Sequence, residues 1–151
     1  RWHRKMINIR NMTLDDIESV FEIEKSIFSI PWSKKSFESS ISSKDTIYIV
    51  ATIDEKIVGY LGIYILGDQS DISNVCVHKD YRRMHIAEAM LSYIFDRAKS
   101  NNVKEITLEV RESNVAAISL YEKMGFKEIG IRKNYYQKPL ENGLLMWKQN
   151  L

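Results

Sequence analysis

The sequence predicts an α/β domain, a mixed and twisted sheet of about six to seven strands flanked by helices. Thr46 to Ile53 and Ile57 to Leu66 are β-branched, apolar runs joined by Asp54-Glu55-Lys56, the pattern of an antiparallel hairpin. Asp71 to Leu91, DISNVCVHKDYRRMHIAEAML, reads instead as a strand, a short basic loop and the opening of a helix. Glu105 to Val110 alternates strictly, with Ile106, Leu108 and Val110 toward one face and Glu105, Thr107 and Glu109 toward the other. Hairpins and strand–helix units thus share one chain, which a mixed sheet accommodates.

From the N-terminal side, Ile7 and Ile9 with polar neighbours predict a short first strand. Thr13 followed by Asp16 resembles a capping box. Leu14, Ile17, Val20, Phe21, Ile27 and Phe28 give the helix that follows an apolar face. Pro31-Trp32 breaks it, and Ser33 caps a second short helix carrying Phe37 and Ile41. The hairpin comes next, then a polar loop, Gly67 to Ser70. Ile72 to Val77 is apolar and β-branched enough for a central strand. Ile86, Met90, Ile94 and Phe95 recur at helical spacing, with Glu88, Asp96 and Lys99 elsewhere around the wheel; this helix ends near Asn101-Asn102. After the alternating strand, Ser113 or Asn114 caps a short helix that stops at Gly125. Phe126 to Tyr135 and Leu144 to Lys148 are the last two strands, separated by a polar loop containing Pro139.

A chain of 151 residues, 44% hydrophobic and 28% charged, is a one-domain length able to bury a core. Its net charge of +2 argues against a nucleic-acid partner held by bulk electrostatics. The single cysteine, Cys76, excludes an internal disulfide and suits a reducing cytoplasm. No apolar run approaches membrane-span length and no signal-peptide pattern opens the chain, so a cytoplasmic location without a membrane partner is expected. Basic residues 1–5 precede Met6 and read as an extension, leaving 6–151 as one domain without internal repeats. His3, His78 and His85 have no ligand spacing with Cys or acidic residues, so no metal site is expected.

Arg82 and Arg83 lead into a helix start, which sets fixed positive charge beside unpaired backbone N–H groups. That arrangement suits a polyphosphate, although such a pair also reads as solvated surface charge. The stretch resembles the acetyl-CoA pyrophosphate loop of the GNAT superfamily of N-acetyltransferases, Arg/Gln-x-x-Gly-x-Gly/Ala, here Arg82-Arg83-Met84-His85-Ile86-Ala87. The first and last positions fit, and His85 stands at a family glycine. A side chain there costs about 1–2 kcal/mol at positive φ; a negative φ would remove that cost.

Leu108 to Tyr136, LEVRESNVAAISLYEKMGFKEIGIRKNYY, is similar to the bacterial ribosomal-protein-alanine N-acetyltransferases. So are Phe28-Ser29-Ile30-Pro31-Trp32-Ser33 and Asn74-Val75-Cys76-Val77, and the similarity covers most of Met6 to Trp147. Asn114, Leu120-Tyr121 and Gly125-Phe126 follow the superfamily pattern, whereas Arg132-Lys133-Asn134-Tyr135-Tyr136 narrows it to protein N-terminal acetylation. The resemblance implies acetyl-CoA as cosubstrate, held by Val75, Cys76 and Val77 backbone, by the loop Arg82 to Glu88 (Arg82, Arg83, Met84, His85, Ile86, Ala87, Glu88) and by Asn114. It implies Glu109 as general base and Tyr121, near the sulfur, as general acid. Trp32, Tyr135, Tyr136 and Glu141 are implied on the acceptor side, with the Pro31-Trp32 loop facing the Tyr135-to-Gly143 segment.

On the residues alone, Glu109 also reads as a solvated strand glutamate, Tyr121 as a packed tyrosine and Asn114 as an N-cap. A lone cysteine in a strand is ordinarily inert packing, so Cys76 is not expected as a nucleophile. An α-amine has a reference pKa of about 7.8 against about 10.4 for lysine, so a modest base suffices for it near neutrality. The expected acceptor is therefore a protein N-terminus, on a ribosomal protein by resemblance. The alternatives are a lysine or small-amine acetyltransferase, or a catalytically weak acyl-CoA-binding module.

Overall fold

The structure, a computed structural model, describes residues 6–151; the extension expected at residues 1–5 lies outside the described residues. The strands are β1 (Asn8–Asn11), β2 (Thr46–Ile53), β3 (Lys56–Leu66), β4 (Gln69–Val77), β5 (Glu105–Arg111), β6 (Lys127–Tyr136) and β7 (Glu141–Gln149). The helices are α1 (Ile17–Ile27), α2 (Lys34–Ile41), α3 (Ile86–Ser100) and α4 (Val115–Lys123). All seven strands join one mixed sheet in the order β1-β2-β3-β4-β5-β7-β6. Only β4 and β5 run parallel, with α3 as their crossover.

Side-chain parity divides the core into two layers. On one face Val20 and Ile23 of α1 and Phe37 of α2 pack with Val50, Tyr60 and Cys76. On the other, Met90, Leu91 and Ile94 of α3 pack with Ile49, Leu61 and Ile106. β2 and β3 are covered on both sides, which is why they read as nearly continuous apolar runs. Their turn places Asp54 and Glu55 at φ +50° and +67°, the left-handed pair that matches strand twist in a two-residue hairpin.

Two expectations about strand ends are corrected. Gly67 to Ser70 is not a loop, because Gly67, at φ +65°, turns the chain and β4 already pairs with β3 at Gln69. Likewise β7 begins at Glu141, where it pairs with Tyr136, rather than at Leu144. In both cases polar residues at a strand start masked the pairing. The apolar face of α1 also differs from expectation, since Leu14 and Phe28 are exposed.

What positions the site is a defect in β4. The register passes from Gly62↔Asn74 to Ile63↔Ile72, so Ser73 is an extra residue, a β-bulge. In a regular strand, residues four apart share a face. Here Ile72 packs in the α3 layer and Cys76 in the α1–α2 layer, so the bulge exchanges the faces of the strand. Tyr48 pins the strand beyond it: the ring lies over Gly62, where a Cβ would meet it at 2.1 Å, and the hydroxyl donates to Asn74 Oδ1 at 3.0 Å. The parallel pairing of β4 with β5 covers only Gln69–Asp71 against Glu105–Thr107. Beyond those residues the two strands diverge.

Candidate active site

A cavity of about 610 Å³ opens where β4 and β5 part. Ser73 to Val75 form one wall and Leu108 to Arg111 the opposite one, with Asn114 and Tyr121 of α4 beside it. The segment from Phe28 to Trp32 and the β6–β7 turn complete the rim. Ser29 Oγ donates to Lys138 O at 2.6 Å, so the two rim segments touch. This is the opposition expected between the Pro31-Trp32 loop and the segment after Tyr135.

Glu109 lies on the cavity wall with its side chain 13% exposed, and Arg132 Nε donates to its Oε2 at 3.0 Å. The guanidinium thereby fixes one carboxylate oxygen and leaves the other available. Thr107 precedes Glu109 by one alternation and donates through Oγ1 to Asp71 Oδ1 at 2.8 Å. Asp71, Thr107 and Glu109 therefore share a face. Burial holds the Asp71 carboxyl above its ordinary range, helped by the nearby Glu109 charge and opposed by Thr107 and Arg132. The sequence reading gave Asp71 no role; its place opposite Thr107 depends on the parallel register, which no local pattern reports.

Tyr121 is 6% exposed and reaches the cavity from α4, packing edge-on against Phe126 at 5.8 Å. Burial raises its hydroxyl pKa, with Tyr136 and Cys76 contributing, so the group carries its proton. Asn114 caps α4 through its Oδ1, which accepts from Ala117 N at 3.2 Å, and also lines the cavity. Its Nδ2 remains for a second partner. The Cys76 thiol is buried and, mainly through that burial, pushed up to about 12. It stays protonated near neutrality, as expected of packing.

The basic loop follows the C-terminal end of β4 and does not line the cavity; the β4 edge through Val75 and Val77 connects the two. Arg82 and Arg83 are exposed and pair with no carboxylate among the described residues. Ile86 is buried against the sheet, while Met84 and Ala87 are half-buried. His85 sits at φ +60° and ψ 24° as the residue before α3, so the negative φ that would spare it strain is not adopted. Its Nδ1 lies 3.4 Å from Glu88 Oε1, which is itself held by Lys123 at 2.7 Å. The Lys123 contact, with His85 a smaller influence, holds the Glu88 carboxyl below its ordinary range.

Of the residues expected on the acceptor side, Trp32 packs against Phe37 and Tyr48, and Tyr135 and Tyr136 stack edge-on at 5.0 Å. All three line the cavity. Glu141 does not: its Oε1 takes Arg111 Nη1 at 3.1 Å and its Oε2 takes Ser113 N at 2.6 Å. Its carboxylate is thus engaged within the fold. Arg111, missed from sequence, also donates to the carbonyls of Gln137 and Pro139, each at 3.0 Å, and lies over the Tyr136 ring at 4.6 Å. It ties the β6–β7 turn to the end of β5.

Comparison with known proteins agrees with this fold. The acetyltransferase (GNAT) family model matches residues 17–126. A Bacillus subtilis protein, provisionally named a ribosomal protein bS18-alanine N-acetyltransferase, is 39% identical over 140 residues, 92% of this chain and 93% of its own. The Escherichia coli K12 ribosomal protein bS18-alanine N-acetyltransferase is 33% identical over 131 residues, 87% of this chain and 88% of its own. The crystal structure of the ribosomal-protein-S18-alanine N-acetyltransferase from Escherichia coli superposes with a TM-score of 0.88 at 31% identity, covering 95% of this chain and 94% of that one. The chain belongs to the acetyltransferase (GNAT) family, as an acetyl-CoA-dependent N-acetyltransferase.

Proposed function

We propose that this enzyme acetylates the N-terminal α-amine of a protein, a ribosomal protein foremost, by direct transfer from acetyl-CoA. The observation that carries the reading is the placement of Glu109 and Tyr121 around one cavity at the parting of β4 and β5. The bS18-alanine N-acetyltransferases among its relatives support the choice of acceptor.

In this reading Arg82 and Arg83 meet the pyrophosphate together with the N–H groups that open α3, including those of Ala87 and Glu88. The pantetheine arm runs along the unpaired edge of β4, where Val75 to Val77 offer backbone groups, and meets Asn114 Nδ2. The thioester then lies over the cavity beside Tyr121. The neutral amine attacks the thioester carbonyl; the C–N bond forms as the C–S bond breaks. Glu109 accepts the amine proton, directly or through one water, and Tyr121 donates its proton to the departing thiolate. A β4 backbone N–H polarises the carbonyl as charge gathers on its oxygen. Trp32, Tyr135 and Tyr136 hold the first residues of the acceptor. No helix among the described residues is long and apolar enough to cross a membrane. An acceptor on the ribosome places the reaction in the cytoplasm.

The test is acetyl transfer to short peptides with free N-termini, against the same peptides N-blocked but carrying an internal lysine, and against polyamines. Turnover on the free N-termini alone is expected. Preference for lysine or a polyamine would move the enzyme to another acceptor class, and no turnover with any amine would leave an acyl-CoA-binding module.

A further inference from the structure

Glu24 is a buried acidic residue on α1. It is 3% exposed, and no lysine or arginine pairs with it among the described residues. Burying a carboxylate without a counter-charge is unfavourable, and well-packed apolar residues often do better for stability alone. What Glu24 has instead is two donors. Its Oε1 accepts from the Tyr60 hydroxyl, and its Oε2 accepts from the backbone N–H of Trp32 at 3.0 Å. Its own carbonyl accepts from Phe28 N at 2.9 Å, closing the last turn of α1.

One residue therefore holds both ends of a short loop. Phe28 leaves the helix from the Glu24 main chain, and the chain returns at Trp32 to the Glu24 side chain. Between these anchors Phe28 and Ile30 stand 41% and 57% exposed at the cavity rim. Tyr60 fixes the carboxylate from below: it is fully buried in β3, edge-on to Phe37 at 5.7 Å.

We propose that Glu24 is a positioning residue for the acceptor, fixing the shape of the Phe28–Trp32 loop so that its apolar side chains meet the first residues of an incoming peptide. The assignment rests on the acceptor cleft proposed above. It explains why a carboxylate occupies the site. Two donors converge on it, whereas glutamine has one acceptor oxygen and turns an NH₂ toward the second donor.

Glu24→Gln and Tyr60→Phe test this in the full chain. For Glu24→Gln the acceptor KM is expected to rise about tenfold, with kcat held within about threefold and acetyl-CoA affinity unchanged, as loss of acceptor positioning requires. The Trp32 amide, followed by hydrogen exchange in the ligand-free protein, is expected to lose protection selectively. Tyr60→Phe, which removes only the orienting donor, moves both readings in the same direction by less. An unchanged acceptor KM in both variants overturns the proposal, as does undiminished Trp32 protection in Glu24→Gln. If Glu24→Gln does not fold, Tyr60→Phe decides by the same two readings. If the wild type acetylates no peptide, the acceptor assignment fails, while the exchange experiment still decides whether Glu24 holds the loop.

Discussion

His85→Gly separates strain from obstruction at the pyrophosphate loop. His85 is held at φ +60°, in the left-handed region, where an L residue costs about 1–2 kcal/mol and glycine almost nothing. Against that gain, glycine frees the unfolded chain by about 0.5–1 kcal/mol relative to alanine. The exposed contact with Glu88 adds little, because solvent screens it. The net expectation is stabilisation of about 0.5–1 kcal/mol, or about 1–4 °C in Tm for a chain of this length. His85→Ala retains the strained φ and is expected to gain nothing, so the glycine variant should melt above the alanine variant.

The consequence for binding follows from when the strain is present. The left-handed conformation already exists in the ligand-free loop, so relieving it stabilises free and bound protein alike. A change equal in two states shifts no equilibrium between them. Acetyl-CoA affinity, by calorimetry, should therefore stay within about twofold in both variants. Alanine and glycine variants of equal Tm would refute the strain argument. Binding about tenfold tighter in the glycine variant would show instead that the imidazole obstructs the pyrophosphate.

Reversing both Arg82 and Arg83 to glutamate should abolish most of the rise in Tm that acetyl-CoA produces by binding the native state; an undiminished rise would place the phosphates elsewhere. Glu109→Gln and Tyr121→Phe should each lower kcat by about 100- to 10,000-fold with acetyl-CoA binding intact, and a loss of only a few-fold would reduce that residue to packing or positioning. Asp16 supplies a pH test. Arg10 donates to both of its carboxylate oxygens, at 2.7 and 2.9 Å, and chiefly for that reason its carboxyl is held below the ordinary range. A depressed folded pKa gives stability that is complete above the unfolded value of about 3.9 and lost as pH falls through the folded value. The advantage of wild type over Asp16→Asn, about 1 kcal/mol after screening of the exposed guanidinium, should persist at pH 6 and be lost as the pH falls below the ordinary carboxylate range. An advantage independent of pH in thermal melts would contradict this assignment.

What the sequence revealed was whatever its neighbours in the chain determine. The β2–β3 hairpin, the alternation of β5 and the Asn114 cap each depend on residues within a few positions. Ser73 carries no such mark, because a bulge is a mismatch of length between two strands and any residue can be the extra one. Arg111 was equally silent: its backbone partners lie at Gln137 and Pro139, and only the folded β6–β7 turn brings them near. Glu24, by contrast, did leave a signal. It follows Val20 by four positions and Ile17 by seven, in phase with the buried side of α1. A charged residue on an apolar stripe is one the fold must have satisfied, and it was overlooked because it fell outside the motifs.

The same physics explains why the chemistry gathers where it does. Parting two central strands leaves N–H and C=O groups without strand partners inside a sheet, and groups of that kind must find others. Beyond Asp71 and Thr107 the facing edges of β4 and β5 border a cavity, so water or an amide-bearing ligand can complete them. Such an opening would collapse if its walls were free to move. Tyr48 over Gly62 holds β4, and Arg111 with Glu141 holds the β6–β7 turn at the end of β5. Glu24 and the contact of Ser29 with Lys138 hold the rim. Several polar side chains around the cleft are thereby engaged in keeping it open. In the proposed mechanism, Glu109 with one free oxygen, Asn114 with a free amide nitrogen and Tyr121 with its proton meet the reactants.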